Sequence, residues 1–279
     1  MAISINKLSK DIQDQIIKAY QNNMSLREIE NHFGATRQTV SKFLTEKGIK
    51  TTTGNHYRKY FHNFDFFENI DNEEKAYWLG FMFADGYIQD HSNRYGEDSF
   101  GIALADDSKD IIEKFKISIN ATNPILHESK PNGQAQSRLH CCSQKTVNDL
   151  ISHGCKKQKT KILQPPVGVP SELIPHFIRG FFDGDGSLTR HQNKNCNHIS
   201  YTVNFTTTYE MAKWLQETLK MGGIFKDSRS DITWYYTLGG NQQALKFCHY
   251  IYDNASIWMN RKYERYKELL NKYGESQGN

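Results

Sequence analysis

Apolar residues recur every three to four positions near the amino terminus and every two positions further on, and twice they run almost unbroken. Over residues 9–23, "SKDIQDQIIKAYQNN", Ser9 stands at an N-cap position, and Ile12, Ile16 and Tyr20 share one helical face. A second helix opens at "SLRE", where Ser25 and Glu28 make a capping box, and it stops at Phe33-Gly34. Thr36 caps a third helix, "RQTVSKFLTEKG", which ends near Gly48 with Val40, Phe43 and Leu44 on its inner face. Residues 49–62, "IKTTTGNHYRKYFH", have no period and read as a linker.

From residue 71 the pattern runs through one unit twice. Asp71 and Glu74 form a capping box before the apolar "AYWLGFMFADG", whose helix ends at Gly86. The alternating strand "YGEDSFGIALAD" follows, with Ile102 and Leu104 on one face, then the amphipathic helix "SKDIIEKFKISI". In the second copy "FIRGFFDGDG" precedes the strand "SYTVNFTT" and the helix "YEMAKWLQETLK". Asp185 stands 100 positions after Asp85, and Phe205 101 positions after Leu104. Two copies cannot form a solenoid, so this is a duplicated α+β unit, with "QPPVGVP" at 164–170 as its hinge. The expected domains are residues 1–48, a linker at 49–63, and repeats at 64–165 and 166–279.

Composition narrows the class. With 37% hydrophobic and 13% aromatic residues the chain can build a core, which excludes a disordered protein. Charge is uneven: residues 1–60 hold ten Lys/Arg against five Asp/Glu, residues 61–100 two against nine, and residues 101–163 ten against six. The basic leading block and "KKQKTK" at 156–161 suit a polyanionic partner. Five cysteines make no CxxC pair, which points to reduced thiols, and "HCC" at 140–142 reads as a strand. No signal-peptide core or membrane-length apolar run is present, so a soluble, cytoplasmic product of a bacterial or phage-infected cell is expected.

The chemistry sits where the apolar helices end. Each has small residues four apart, Gly80 and Ala84, then Gly180 and Gly184, which lets two helix backbones meet. Phe81, Phe83, Phe181 and Phe182 face away and anchor each helix in its own core. Side by side, the helices bring Asp85 and Asp185 together near two C-termini, where negative charge is unfavourable. A hard divalent cation resolves that conflict; Mg²⁺ (or Mn²⁺) takes carboxylate oxygens, keeps waters and engages phosphate. Asp183 faces Phe83 in the other copy and reads as structural.

"WLGFMFADG", "IRGFFDGDG", "EEKAYWLGF" and the closing "IYDNASIWMNRKYERYKELL" resemble the LAGLIDADG homing endonucleases in their single-chain, two-motif form, over about residues 64–272. Phe83 departs from the motif's first acid. The resemblance implies an α+β fold of two pseudo-twofold-related αββαββα halves, forming a DNA-binding saddle over a long, weakly palindromic target. It implies metal binding by Asp85 and Asp185 with the nearby backbone carbonyls of Ala84 and Gly184. It also carries a catalytic lysine late in each half: Lys159 in "KT", with Lys161 as a competitor, and Lys262 in the closing "RK". Lys159 lies 74 positions after Asp85 and Lys262 77 after Asp185. The implied reaction is in-line attack of a metal-associated water on the scissile phosphate, one site per strand, by a monomer.

On the saddle, alternation directs Ile88, Ile102, Leu188, Val203 and Phe205 inward. It leaves Tyr87, Gln89, Ser187, Thr189, Thr202, Asn204 and Thr206 toward DNA. Asp106 and Thr207, at the ends of matching strands, are candidates behind the metal ligands. Residues 25–46 resemble the resolvase and phage-repressor helix-turn-helix, with Arg37, Gln38, Ser41 and Lys42 outward as DNA contacts. One departure is Glu30, where those families usually have alanine. A non-cleaving DNA-binding regulator on the same scaffold is the alternative, although both motif acids stand; an RNA intron maturase is a third. With no fused protein sequence flanking the repeat, a freestanding product is expected rather than an intein.

Overall fold

The computed structural model describes residues 5, 9–21, 24, 26–49, 51, 59–90, 98–129, 135–157, 162–192 and 199–274, all but the side chain of residue 107. The chain folds as two compact units, residues 1–61 and 62–279.

In the first unit the 3.6-residue period becomes three helices, α1 (Lys10–Gln21), α2 (Leu26–Phe33) and α3 (Arg37–Glu46). Ile16, Ile29, Ala35, Val40, Phe43 and Leu44 form its core, with Ile12 and Tyr20 packed at the edge. The Ser9 hydroxyl accepts the Ile12 N–H at 3.4 Å, and the Thr36 hydroxyl accepts that of Thr39 at 3.4 Å. Ser25 lies outside the described residues. Gly34 turns the chain between α2 and α3 at φ +72°, in the region that disfavours any side chain with a Cβ. Glu30 accepts the Arg37 N–H at 3.3 Å and pairs with the Arg37 guanidinium at 2.9 Å. Glu30 thus caps α3 with a negative charge at the positive end of that helix's dipole.

The second unit repeats one order of elements. Its first half runs α4 (Glu73–Ala84), β1 (Gly86–Gln89), β2 (Ser99–Ala105), α5 (Lys109–Ser118), β3 (Leu126–Ser129), β4 (Ala135–Cys142) and α6 (Gln144–Ser152). The other half runs α7 (Ile174–Asp185), β5 (Gly186–Gln192), β6 (Ile199–Thr207), α8 (Tyr209–Leu219), β7 (Gly223–Lys226), β8 (Trp234–Gly239) and α9 (Asn241–Tyr252), and α10 (Asn260–Tyr273) closes the chain. Each half is therefore αββαββα, with antiparallel sheets ordered β1-β2-β4-β3 and β5-β6-β8-β7. One face of each sheet is buried under helices through Phe100, Ile102 and Leu139, or Val203, Phe205 and Tyr236. Among the described residues, no helix of the same half covers the other face, whose strand positions are mostly half-buried or exposed.

Two expectations change. Asn72, not Asp71, caps α4: its side chain accepts the Lys75 N–H at 3.0 Å, while Asp71 pairs with the Lys75 ammonium at 2.9 Å. Asn72 is the residue next to the first helical turn, so it alone reaches those N–H groups. Glu74 accepts from Ser118 instead of closing a box. Strand register also corrects the repeat alignment. Gly86 pairs with Ile102 and Gly186 with Phe205, so Phe205 matches Ile102 and Leu104 matches Thr207. The second hairpin is longer by three residues, a difference that apolar alternation alone does not reveal.

Candidate active site at the paired helix ends

α4 is apolar on all sides and buried from Ala76 to Ala84 because it packs in its own half and against α7. The two helices meet backbone to backbone. A Cβ on Gly80 would collide with the Phe177 carbonyl, and one on Gly180 with the Tyr77 carbonyl. One step further along, a Cβ on Gly184 would collide with that of Ala84. Each contact of one helix is returned by its counterpart, as a pseudo-twofold axis requires. Aromatic rings pack around the pair: Phe181 stacks on Phe205 at 5.6 Å and Trp78 meets Phe115 at 4.9 Å within their own halves. Phe83 of α4, by contrast, does not face away as expected but packs edge-on across the pair to Phe177 of α7 at 5.0 Å.

α4 stops at Ala84, with the Asp85 N–H still bonded to the Phe81 carbonyl at 2.9 Å, and α7 stops at Asp185. The glycines that follow serve close packing and not an unusual turn. Gly186 is extended at φ −82°, but a Cβ there would strike Phe182, and one on Gly86 would strike Met82. Asp85 is half-buried and Asp185 exposed.

Lys262, on the first turn of α10, reaches this corner from below. Only 6% exposed, its ammonium donates to the carbonyls of Phe182 at 2.5 Å, Gly186 at 2.5 Å and Gly184 at 3.4 Å. Desolvation pulls its pKa down to about 8, against the opposing charges of Asp183, Asp85 and Asp185. One buried cation thus feels both motif acids and neutralises the negative end of α7.

Asp183 is fully buried and accepts from the Met259 N–H at 2.7 Å, the Tyr77 hydroxyl at 2.9 Å and the Tyr252 hydroxyl at 3.2 Å. It joins α7 to α4, α9 and the start of α10. Burial pushes its pKa up, while Lys262 and these donors oppose the rise. Asp183→Asn keeps the shape but turns an NH₂ toward donors. It is expected to lower stability by about 1–3 kcal/mol, read as the urea midpoint.

A second buried link was invisible in the sequence. Arg179, wholly inaccessible to solvent, donates to Glu73 of α4 at 2.6 Å and to the carbonyls of Ile251 and Ile257 at 2.8 Å each. Glu73 also accepts the Ser256 N–H at 2.7 Å. Both residues occupy helix positions that read as ordinary surface charges; only the packing of four segments encloses them.

The remaining predicted residues divide. Lys159, Thr160 and Lys161 lie outside the described residues. Their neighbour Lys157 is engaged by Asp98 at 2.9 Å and Asp90 at 3.1 Å, so that part of the basic run is neutralised within the chain. Gln38 and Lys42 are exposed on α3, Arg37 is held by Glu30, and the Ser41 hydroxyl contacts that of Thr51 at 2.7 Å. On the helix-free sheet faces Gln89, Ser187 and Thr206 are exposed, while Tyr87, Thr189, Thr202 and Asn204 are half-buried. Tyr87 lies over Gly101 with its hydroxyl 3.0 Å from His140 Nδ1, and Thr237 donates to Asn204 Oδ1 at 2.7 Å. Asp106 and Thr207 are not counterparts once register is applied. Asp106 accepts from Ser137 at 2.5 Å, and the Thr207 hydroxyl is buried with no partner among the described residues.

Residues 172–252 match the family model described as a LAGLIDADG-like domain. That stretch belongs to the LAGLIDADG family, and the duplicated unit has its fold. The fold is shared with the homing endonuclease I-GzeII, solved in complex with its DNA target: TM-score 0.52 and 16% identity over 74% of this chain and 91% of that one. It is shared likewise with I-LtrWI bound to target DNA, at TM-score 0.51 and 12% identity over 77% and 92%. In sequence the chain is 24% identical over 211 residues to the Replication factor C small subunit of Methanocaldococcus jannaschii. That match takes in 74% of this chain but spans about a tenth of the curated protein's length. Among the described residues, no helix is long and apolar enough to cross a membrane.

Proposed function

We propose that the protein is a site-specific endonuclease that makes double-strand breaks in DNA, homing-type, working as a monomer on a long, weakly palindromic target. The observation that carries this reading is the backbone contact of the two helix ends, where a Cβ on Gly184 would strike Ala84 and lie 3.3 Å from the Asp85 nitrogen, so that Asp85 and Asp185 end at one corner above the buried Lys262. The DNA complexes of I-GzeII and I-LtrWI, which share the fold, support DNA as the partner.

Among the described residues no group of three or more His, Cys, Asp or Glu side chains is placed to hold a metal. The oxygen donors at the helix ends nonetheless fit a hard cation that keeps waters and takes phosphate oxygens, which is Mg²⁺ or Mn²⁺ chemistry. Asp85 and Asp185, with the carbonyls of Ala84 and Gly184, would hold it. When bound, the metal would supply an activated water and stabilise charge on the phosphate. Lys262 positions this corner: its donors go to three carbonyls, which keeps the α7–β5 junction in place and offsets the carboxylates' mutual repulsion. Lys159 is assigned the matching place in the first half.

The helix-free sheet faces, through Tyr87, Gln89, Ser187, Thr189, Thr202, Asn204 and Thr206, are assigned to the bases. Arg37, Gln38, Ser41 and Lys42 on α3 are assigned a flanking site. The test is selection of a target from a randomised duplex library, then cleavage of a plasmid carrying it with Mg²⁺. Linear product is expected, and binding without any cleavage would favour the regulator reading. A chain lacking residues 1–61 is expected to cut the same target while binding it at least about tenfold more weakly, with a shallower salt dependence. Loss of all cleavage by that folded chain on DNA it still binds would contradict the division of labour.

A further inference from the structure

Both sheets leave the same kind of side chain bare at the same place. Leu126 on β3 pairs with Arg138 of β4, and Phe225 on β7 pairs with Tyr235 of β8. Arg138 precedes Leu139, the partner of Ile102, as Tyr235 precedes Tyr236, the partner of Phe205. Leu126 and Phe225 are therefore register equivalents, and they are 41% and 57% exposed. Both lie on the helix-free face, in line with Ala103 in one sheet and Thr206 in the other.

Their surroundings repeat as well. Two residues further along stands an acid, Glu128 within β3 and Asp227 just past the end of β7. Glu128 accepts from the Arg138 guanidinium at 2.7 Å, and Asp227 from the Tyr235 hydroxyl at 2.6 Å. In the second half Arg229 also bonds Asp227, at 3.1 Å. Each half thus presents an apolar side chain beside a hydrogen-bonding one whose orientation an acid sets. The residue types have diverged, Leu to Phe, Arg to Tyr and Glu to Asp, yet the arrangement persists. An exposed apolar residue at one edge strand needs no explanation; the same one in both copies, beside an oriented polar partner, points to a shared ligand.

On the reading that this face takes DNA, the ligand follows from groove chemistry. Among the base edges in the major groove, the thymine C5-methyl is the apolar group, and aliphatic and aromatic side chains are its natural contacts. We infer that Leu126 and Phe225 each take the C5-methyl of one thymine, with Arg138 and Tyr235 held alongside to hydrogen-bond the neighbouring base edge. Because the two positions are equivalent under the pseudo-twofold, the thymines lie at equal distances on either side of the target's centre.

The test uses the full chain and a target selected from a randomised duplex library. A preference for thymine is expected at one position in each half-site, equidistant from the centre. Replacing either thymine by deoxyuridine, which lacks only the methyl, is expected to weaken binding about threefold to fivefold. Leu126→Ala should remove that sensitivity in one half-site and Phe225→Ala in the other, with urea midpoints confirming that both variants fold. If a variant does not fold, deoxyuridine in the wild-type complex remains a complete test. The inference is overturned if deoxyuridine at every thymine of a specifically bound target changes affinity by less than about 1.5-fold, since a buried methyl is worth more than that. It is overturned too if folded variants keep the wild-type sensitivity. Failure to select any sequence would instead count against the proposed function.

Discussion

Asp85→Asn and Asp185→Asn are each expected to abolish double-strand cleavage, with rates down by at least about 10³-fold, while DNA binding persists. Asparagine keeps the size of the carboxylate and removes the charge that a hard cation needs. Binding should hold or tighten, because a negative charge facing phosphate is removed. Stability should not fall, since both acids crowd the ends of two helices that are themselves negative. Catalysis lost without loss of fold is the signature of a site that holds unfavourable charge for function. Linearisation of a target plasmid measures the first effect, and gel shift with urea melts the others. Cutting at the wild-type rate by both variants would sink the assignment.

Gly180→Ala carries the largest expected effect on stability. The added methyl would meet the Tyr77 carbonyl, a backbone atom that cannot turn aside, so α4 and α7 must separate. Overpacking is expected to exceed the roughly 1 kcal/mol of helix propensity gained, for a net loss of at least about 2 kcal/mol. The urea midpoint should fall with an unchanged slope. Gly239→Ala on β8, where a Cβ would meet nothing within 4 Å, is the control and should be nearly neutral. Equal midpoints for the two variants would mean that the helices do not meet through Gly180. Since the same contact brings Asp85 and Asp185 to one corner, Gly180→Ala should depress cleavage as well.

Much of this was legible along the chain because it rests on short-range physics. Helices α1 to α3 follow from apolar spacing and from caps at Ser9 and Thr36. The strands follow from alternation, and the helix pair from small residues four apart in two copies. Those same spacings marked Asp85 and Asp185. Where a choice between neighbouring residues mattered, local pattern was too coarse. Asn72 caps α4 although Asp71 offered a similar side chain, and Phe205 pairs with Gly186 where simple spacing matched it to Leu104.

The tertiary structure alone decided what encloses the site. The "RK" of "NRKYERYK" marks Lys262 only through the family resemblance; it becomes a buried cation because α10 lays that turn against the α7–β5 corner. Glu73 and Arg179, 106 positions apart, meet only after α4 and α7 pack, with Arg179 buried and Glu73 partly so. Asp183 draws its donors from α4, α9 and the start of α10. Periodicity and capping act within a few residues and leave a record in the sequence. Desolvation, register and contact between distant segments depend on how all the elements pack, and no local pattern encodes them.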